Sequence, residues 1–365
     1  MSSHGGVIPH SRPTMAAEDA RAVTEVLVSG HLAQGDVVRR FEDGMADLLD
    51  RRGGVATSSG TAALHLALLA LGVGPGDEVI LPSYTCVALL HAVRYVRATP
   101  VLVDIDIETF NVCPSDARRH ITSRTKAIIV PHMFGLPVDL GPMLSWGIPL
   151  IEDCAQALGA TCRGRPVGSI GTITVCSFYA TKVITTGEGG MLLSDSEFLL
   201  RRARDARDYD GRLDNGIRFN YKMTDMEAAL GLSQIRRLSS FVARRQEIAS
   251  RYAACLSPLA IRLPVARPER THIFYRYVVR VGDARRLAGR LEAGGVQCKA
   301  PVFQPLHRYL KRDGFACTET AMRTALSIPL YPSLTDDEVD KIVHAVANEV
   351  EREEDRSRRV SSLRS

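Results

Sequence analysis

The sequence predicts an α/β fold in which a mostly parallel sheet lies between layers of helices. Between about residues 54 and 195, short aliphatic or β-branched runs alternate with longer runs of helical periodicity, a pattern typical of parallel sheets covered by helices. A chain of 365 residues is long enough for a large core and a second domain. We expect a large domain over 1–240, a smaller C-terminal α/β domain over 241–350 and a flexible tail over 351–365.

The composition is that of an ordinary globular chain and argues against several classes of protein. Hydrophobic residues make up 45% and charged residues 24%, both typical values. The net charge of +5 is small, and the arginines are dispersed or accompanied by acids, so we expect no nucleic-acid partner. The eight cysteines lack the spacing of a metal site. With no signal peptide and no membrane-spanning apolar run, a cytoplasmic protein that contacts no membrane is the simplest expectation.

The predicted elements of the first half follow one another in a regular order. Helical spacing covers 16–27 and about 37–49, with a glycine-bounded loop between them. A strand near Gly54 runs into Ser59-Gly60-Thr61 and then into a strongly apolar helix over 62–71. The remaining elements are strands over 76–82, 99–104, 126–132 and 148–153, with helices ending at Tyr95 and covering 116–121.

Beyond residue 205 the pattern changes. Residues 205–220 are charged and contain glycine, which is typical of a loop. A long helix begins after Thr224, a residue type that caps helices, and continues to about 256 with a possible break near 238–240. The remaining predictions are a strand over 273–281, a helix over 284–293, a short strand near Val296 and a final helix over 336–351.

Lys182 is the most informative of the six lysines. It follows a β-branched and aromatic run from Thr174 to Tyr179 and precedes a glycine cluster over 187–190. It should therefore lie just past a buried strand, before a tight turn. A lysine amine among apolar groups can act as a nucleophile and form a Schiff base. On this segment alone, the alternative is a lysine that extends its charge into solvent from a strand end.

Other polar groups also follow predicted strands. Ser59-Gly60-Thr61 precedes a helix whose free N–H groups and dipole favour a phosphate, although an N-cap without a ligand explains the same residues. Asp153 ends an apolar strand, with a helix cap as its alternative. Because carboxyl ends of parallel strands share one edge of a sheet, we expect these groups to lie near Lys182. Together they are the parts of a pyridoxal phosphate site: a Schiff-base lysine, an anion cradle and a partner for the ring nitrogen.

Five ordered motifs, spread over nearly the whole chain, resemble those of a known family. They are Thr-Ser-Ser-Gly-Thr-Ala-Ala-Leu-His (57–65), Gly-Asp-Glu-Val-Ile (76–80), Ile-Glu-Asp-Cys-Ala-Gln-Ala-Leu-Gly (151–159), Ser-Phe-Tyr-Ala-Thr-Lys (177–182) with Gly-Glu-Gly-Gly (187–190), and Asn-Tyr-Lys-Met (220–223). The chain resembles the DegT/DnrJ/StrS family of pyridoxal-phosphate-dependent sugar aminotransferases. This resemblance implies the fold of fold-type I aminotransferases, with a mostly parallel sheet of the seven-stranded type in the large domain.

The resemblance also implies a role for each matching residue. Lys182 would form the Schiff base and, once displaced by the amino donor, carry the proton between the substrate carbon and the cofactor. Asp153 would pair with the ring nitrogen, and Gln156 would lie near the ring hydroxyl. The family's sites lie at a homodimer interface. The implied ligands of the cofactor phosphate are Gly60, Thr61 and Ser177, with Asn220 reaching the phosphate of the neighbouring subunit.

Three positions bear on the substrate. Many members carry an aromatic residue that stacks on the ring where this chain has Cys86, which we assign to the cofactor site, with Tyr84 as a possible replacement. Many have a histidine where this chain has Tyr179. His307 matches a family position near the substrate, and a surface histidine is the alternative.

The expected reaction moves an amino group from glutamate or glutamine to a keto carbon of a nucleotide-linked deoxysugar. One alternative keeps this chemistry but uses a keto-cyclitol or a nucleoside. Another is a cofactor-binding regulatory protein without turnover. The family's dehydratase branch carries histidine at the lysine position, so Lys182 argues against it. The sequence alone does not name the sugar or the donor.

Overall fold

The fold alternates strands and helices, and the computed structural model describes it over residues 6–362, without the side chains at 354 and 356–362. Within that range the helices are α1 (Ala17–Ser29), α2 (Asp36–Leu48), α3 (Gly60–Ala70), α4 (Val87–Tyr95), α5 (Pro114–Arg119), α6 (Gly141–Leu144), α7 (Glu197–Arg207), α8 (Asp225–Ile235), α9 (Leu238–Leu256), α10 (Ala284–Ala293), α11 (Leu306–Tyr309), α12 (Ala316–Thr324) and α13 (Asp336–Ser362). The strands are β1 (Gly53–Thr57), β2 (Glu78–Pro82), β3 (Thr99–Val103), β4 (Thr125–Pro131), β5 (Leu150–Asp153), β6 (Thr161–Cys162), β7 (Arg165–Pro166), β8 (Ile173–Ser177), β9 (Gly190–Ser194), β10 (Tyr277–Arg280) and β11 (Ala325–Ile328).

Seven of these strands form the central sheet, in the order β1-β9-β8-β5-β4-β2-β3. β8, β5, β4, β2 and β3 pair in parallel, whereas β9 runs antiparallel to both β8 and β1. The predicted mostly parallel sheet is thus confirmed. The antiparallel β9 was not predicted; it arises because the chain turns back over residues 178–189 without a crossover helix.

Apolar side chains cover both faces of this sheet. Along β9, Met191 and Leu193 belong to a buried cluster with Phe41 of α2, whereas Leu192 belongs to a cluster with Leu66 of α3. This alternation follows from the two-residue period of a strand. α3 is apolar on nearly all sides because it is enclosed by the sheet, α4 and α7. Its N-terminus is thereby held firmly at the sheet edge.

A separate buried cluster lies in the C-terminal part of the chain, around the antiparallel pair β10–β11 and α9, α10 and α13. The first described residues join it, since the N–H of Ile8 donates to the carbonyl of Gly295 at 2.8 Å. The strand predicted near Val296 is a single bridge to Ile8. The domain boundary at residue 240 remains a prediction.

Most predicted elements are present, with shifted ends. The long helix after Thr224 breaks between α8 and α9, and Thr224 and Glu227 cap α8 reciprocally, at 3.2 and 2.8 Å. The strand predicted over 273–281 is confined to β10, and α7, α12 and β11 were not predicted. α13 continues to Ser362, into the segment 351–365 for which we expected a flexible tail; residues 363–365 lie outside the described range. None of the helices in the described part of the chain is long and apolar enough to cross a bilayer.

Candidate active site

Four strands end around one cavity of about 240 Å³. β1, β2, β5 and β8 all run in the same direction, so their carboxyl ends lie at one edge of the sheet. This is the edge at which sheets of this class bind ligands. Seven of the residues predicted from the sequence line the cavity: Gly60, Thr61, Cys86, Asp153, Gln156, Ser177 and Lys182.

The N-terminus of α3 provides an anion cradle at one end of the cavity. The hydroxyl of Ser59 accepts the N–H of Ala62 at 3.1 Å. The N–H groups of Gly60 and Thr61, which precede it in the first turn, have no intrahelical acceptors. A Cβ atom at Gly60 would lie 2.8 Å from the Cβ of Ser177, so the helix start sits directly against the end of β8. Free N–H groups together with the hydroxyls of Thr61 and Ser177 suit a phosphate.

The glycine cluster after Lys182 supports this cradle. Gly187 and Gly189 have φ values of +87° and +147°, which glycine adopts at no steric cost. A Cβ atom at Gly190 would lie 2.4 Å from the carbonyl carbon and oxygen of Ser59. The start of β9 therefore packs backbone against backbone on the loop that leads into α3, which only a residue without a side chain permits.

Lys182 borders the cavity within a closed loop. Its own N–H donates to the carbonyl of Tyr179 at 2.8 Å, and the carbonyl of Phe178 accepts from the N–H of Thr186. The Lys182 Nζ lies 5.3 Å from the centre of the Tyr275 ring. Within the described residues, no carboxylate forms an ion pair with Lys182. The amine is therefore available to a ligand in the cavity.

Tyr275 is a neighbour of Lys182 that the sequence analysis missed. Burial by itself raises the pKa of this phenol, but the positive charges of Lys182 and Arg276 and a hydrogen bond with Thr181 outweigh that effect and lower the pKa to about 8. Tyr275 lies 93 positions from Lys182 along the chain, within a segment predicted as a strand. No local pattern could have indicated this contact.

Asp153 closes the cavity at the end of β5. It is buried, and burial raises the pKa of its carboxyl group, with the N–H of Ala155 and the charge of Lys182 acting in the opposite direction. Its Oδ1 accepts that N–H at 3.0 Å. A carboxylate whose charged form is disfavoured by burial gains most from a cationic partner, and a protonated pyridine nitrogen is such a partner. The donor set at this end therefore fits a pyridoxal ring.

A buried pair, His132 and Glu152, holds the strand end in place. The Nδ1 of His132 accepts the N–H of Val138 at 2.9 Å, so its Nε2 carries the proton and donates to Glu152 at 3.1 Å. Glu152 also accepts N–H groups from Gly168, Ile170 and Gly171. Cys154 Sγ lies within 4.8 Å of both. Since the histidine nitrogens and the carboxylate oxygens already have protein partners, this cluster is structural.

The structure distinguishes Cys86 from Tyr84. Cys86 is exposed at the start of α4 and lines the cavity. Tyr84 is fully buried and packs against Phe110 and Phe134, with ring centres 5.9 and 6.5 Å away. Of the two, Cys86 faces the site. Tyr179, 48% exposed, lines it as well, as does Glu188, to which the sequence analysis assigned no role.

Asn220 and His307 lie outside this cavity. Asn220 is exposed, in a segment whose Tyr221 carbonyl accepts the N–H of Ser58 at 2.8 Å, beside the phosphate cradle. The alternative of a surface histidine is wrong, because His307 is only 4% exposed. Its ring nitrogens lie 2.7 Å from the Ser83 hydroxyl and 2.8 Å from Glu319.

A family model described as the DegT/DnrJ/EryC1/StrS aminotransferase family matches residues 13–347. The chain belongs to this family. Over 334 residues it is 36% identical to GDP-perosamine synthase of Caulobacter vibrioides, which covers 86% of this chain and 90% of that protein. It is also 36% identical over 373 residues to the spore coat polysaccharide biosynthesis protein SpsC of Bacillus subtilis, covering 93% and 96%.

Solved structures of other aminotransferases resemble the fold over nearly its whole length. The aminotransferase TlmJ from Streptoalloteichus hindustanus has a TM-score of 0.89 and 33% identity, covering 94% of this chain and 99% of that one. The pyridoxal phosphate form of a putative sugar aminotransferase from Streptococcus pneumoniae has a TM-score of 0.89 and 28% identity, covering 95% and 99%. The DegT/DnrJ/EryC1/StrS fold, the cofactor and the prediction of a pyridoxal-phosphate-dependent sugar aminotransferase are therefore confirmed.

Proposed function

We propose that this aminotransferase moves an amino group from glutamate or glutamine to the keto carbon of a nucleotide-linked deoxysugar. The observation that carries the proposal is the cavity that joins Lys182, Asp153 and the N-terminus of α3 at one sheet edge. The names of the two relatives, a GDP-perosamine synthase and a spore coat polysaccharide protein, support a sugar as the acceptor.

Each part of the cavity has a task in this reaction. When bound, pyridoxal phosphate supplies an electron sink for the bond that is broken at the substrate carbon. The N–H groups of Gly60 and Thr61 and the hydroxyl of Ser177 would bind its phosphate group. The Asp153 carboxylate would hold a proton on its ring nitrogen. Lys182 would hold the cofactor through its amine, and the same amine, when free, would carry the proton removed from and returned to the substrate carbon.

We also propose a homodimer in which residues 208–220 pack against a second copy. Leu213 is fully exposed, Ile217 is 87% exposed and Phe198 is 57% exposed. Exposed apolar side chains that cluster in this way mark interaction surfaces. Ile217 and Phe198 line the largest of the described cavities, about 820 Å³, which shares no lining residue with the Lys182 cavity. Asn220 lies in the same segment, and the family resemblance implies that it reaches the phosphate of the neighbouring subunit.

A visible spectrum of the purified protein, titrated separately with glutamate and glutamine, tests the reaction. We expect the absorbance band of the lysine-bound cofactor to disappear with one of the two donors. Addition of a nucleotide-linked keto-deoxysugar should restore the band, whereas a keto-cyclitol or a keto-nucleoside should not. If only the keto-cyclitol or the keto-nucleoside restores the band, the acceptor belongs to that class and not to the nucleotide-linked sugars. If neither glutamate nor glutamine changes the band, amino transfer from these donors is contradicted.

Replacement of the lysine provides the corresponding control. Lys182→Ala should lose both the band of the lysine-bound cofactor and turnover, because no other described lysine lines the cavity. Lys341→Ala is the matched variant, since that lysine is exposed on α13, outside the cavity and outside residues 208–220, and should keep both the band and turnover. A Lys182→Ala protein with an unchanged band and unchanged turnover would refute the role of this residue.

A further inference from the structure

A second, small cavity lies beside the Lys182 loop. Its volume is about 20 Å³, and its lining includes Thr181, Tyr275, Arg12, Arg245, Arg276 and Tyr331. Thr181 directly precedes Lys182, and the Tyr275 ring has the Lys182 Nζ at 5.3 Å from its centre. The two cavities share no lining residue, but the consecutive residues Thr181 and Lys182 border one cavity each.

The lining of this cavity carries positive charge without a counter-charge. Within the described residues, none of its three arginines, Arg12, Arg245 and Arg276, has a carboxylate at ion-pair distance. His10 accepts a hydrogen bond from Arg276 at 3.1 Å. Burial and, to a smaller extent, the positive charges of Arg276 and Lys299 lower the pKa of His10 to about 3. His10 is thus neutral at neutral pH and orients Arg276 without adding charge. Of the three, Arg245 is buried, and a buried cation that lacks a counter-ion is costly.

Two buried donors in the same lining also lack an acceptor. Arg245 is 4% exposed; one of its terminal nitrogens donates to the carbonyls of Phe274, Tyr275 and Leu330, while its Nε has no partner. Tyr331 is 1% exposed, and its hydroxyl has no partner either. Unpaired buried polar atoms are uncommon and call for an explanation. Both groups can donate, so the cavity offers two hydrogen bonds to an acceptor beside uncompensated arginines.

We propose that this cavity binds a carboxylate group of the amino donor, an inference that rests on the proposed function. Size favours a carboxylate. One water needs about 10–15 Å³ of such a cavity. The cavity, with about 20 Å³, therefore admits a group with two small oxygens but not a diphosphate. Position is compatible with the donor, because the cavity borders the Lys182 loop and the donor must reach Lys182 to displace it. Chemistry favours a planar oxyanion, which a guanidinium binds through paired hydrogen bonds.

Glutarate is a suitable probe, because it carries the carboxylates of glutamate but has no amine to react. We expect Arg276→Gln to weaken glutarate binding to the holoenzyme, measured by calorimetry, about 10- to 100-fold, the usual size for a lost charge-assisted hydrogen bond. The apparent dissociation constant for glutamate in the spectral titration should rise by a similar factor. Amination of the keto sugar by the pyridoxamine form should be unchanged, since that half-reaction uses no donor. Arg280→Gln, on the same strand segment but outside this cavity, is the control.

Several outcomes would overturn the inference. Unchanged glutarate binding in Arg276→Gln would mean that the cavity holds water only. Weaker binding of inorganic phosphate or a nucleoside diphosphate, with glutarate unaffected, would assign the cavity to the acceptor. If Arg276→Gln does not fold, the exposed Arg12 provides the second variant, Arg12→Gln, with the same expectation. A wild-type enzyme that binds glutarate but converts no donor would contradict the proposed function and not this site.

Discussion

Glu152 and Asp153 are adjacent carboxylates at the end of β5, yet their surroundings shift their pKa values in opposite directions. Burial raises the pKa of both. For Glu152, hydrogen bonds from His132, Gly171 and Ile170 more than offset burial and lower the pKa to about 2. For Asp153, the hydrogen bond from Ala155 and the charge of Lys182 do not offset burial, and the pKa of its carboxyl group stays raised. Glu152 is therefore already satisfied by the protein, whereas Asp153 has capacity left for a cationic ligand.

Asp153→Asn tests this difference. An amide cannot hold a proton on the ring nitrogen, so we expect the donor half-reaction to slow by roughly 10²-fold or more, the size seen when one electrostatic contact at a reacting centre is removed. The rate of loss of the lysine-bound cofactor band in stopped flow measures it. Asp153→Glu, which keeps the charge, should retain more of the rate. An Asp153→Asn enzyme with the wild-type rate would show that the carboxylate is not the ring partner.

His10 should make stability depend on pH. Its folded pKa is about 3 against an ordinary value of 6.5, so between these two pH values the unfolded chain binds a proton that the folded chain does not. The free energy of unfolding should then rise with pH over this range, and the contribution of His10 should be complete above about 6.5. His10→Gln should reduce that slope, as measured by urea unfolding at a series of pH values. Identical slopes in both proteins would show that His10 is not buried in its neutral form.

At the scale of elements, glycines decide how closely β9 and α3 approach. The sequence predicted a turn at residues 187–190 from its glycines, and the structure adds that Gly190 touches the Ser59 backbone. The turn also explains why β8 is followed by an antiparallel neighbour. The start of β9 thus helps to set the position of the phosphate cradle, through contacts between the backbones of Gly190 and Ser59.

Gly190→Ala should damage the cradle. The new Cβ would lie 2.4 Å from backbone atoms of Ser59, so the start of α3 must shift. We expect weaker binding of pyridoxal phosphate, measured by equilibrium dialysis, and a lower melting temperature. Gly289→Ala is the matched control: this glycine lies inside α10 with nothing within 4 Å of the added atom, and alanine there should stabilise the helix by up to about 1 kcal/mol. Equal cofactor affinity in both variants would contradict the close approach.

At the scale of the whole molecule, one chain presents an open apolar surface and an incomplete set of predicted phosphate ligands. Leu213 and Ile217 are almost fully solvated, and Asn220 lies outside the cavity of its own chain. The loop that carries them is tied to α7, because Arg218 pairs with Asp205 at 3.1 Å. The proposed homodimer would account for both features together.

The double variant Leu213→Asp, Ile217→Asp should therefore be monomeric. Charges placed on this surface would oppose its burial in a dimer, because an unpaired buried charge is strongly destabilising. Sedimentation velocity should give a dimer for the wild type and a monomer for the variant, with much lower turnover because Asn220 no longer reaches the partner. Leu144→Asp, at a half-exposed leucine on α6, should remain dimeric. A monomeric and fully active wild type would refute the proposal.

The sequence by itself predicted the class of fold, the cofactor and eight site residues, seven of which line one cavity. It could do so because hydrophobic periodicity and turn residues act over a few neighbouring positions, because parallel strands place their carboxyl ends at one edge, and because five ordered motifs resemble a known family. Gly60 and Cys86 lie a few residues after their strands and Ser177 ends β8, so all three lie at that edge. Asn220, the eighth, does not follow a strand.

Only the tertiary structure decided which distant residues surround Lys182. Tyr275 and the adjacent Arg276 come from one distant part of the chain, Arg12 of the neighbouring cavity comes from another, and His10 lies 2.9 Å from Ser327 across 317 positions. The choice of Cys86 over Tyr84 for the cavity likewise depends on the cluster around Phe110 that buries the tyrosine. Such contacts follow from the packing of whole elements, and pKa values follow from burial. Neither can be predicted from local sequence patterns, so the second cavity and its charge were found only in the folded chain.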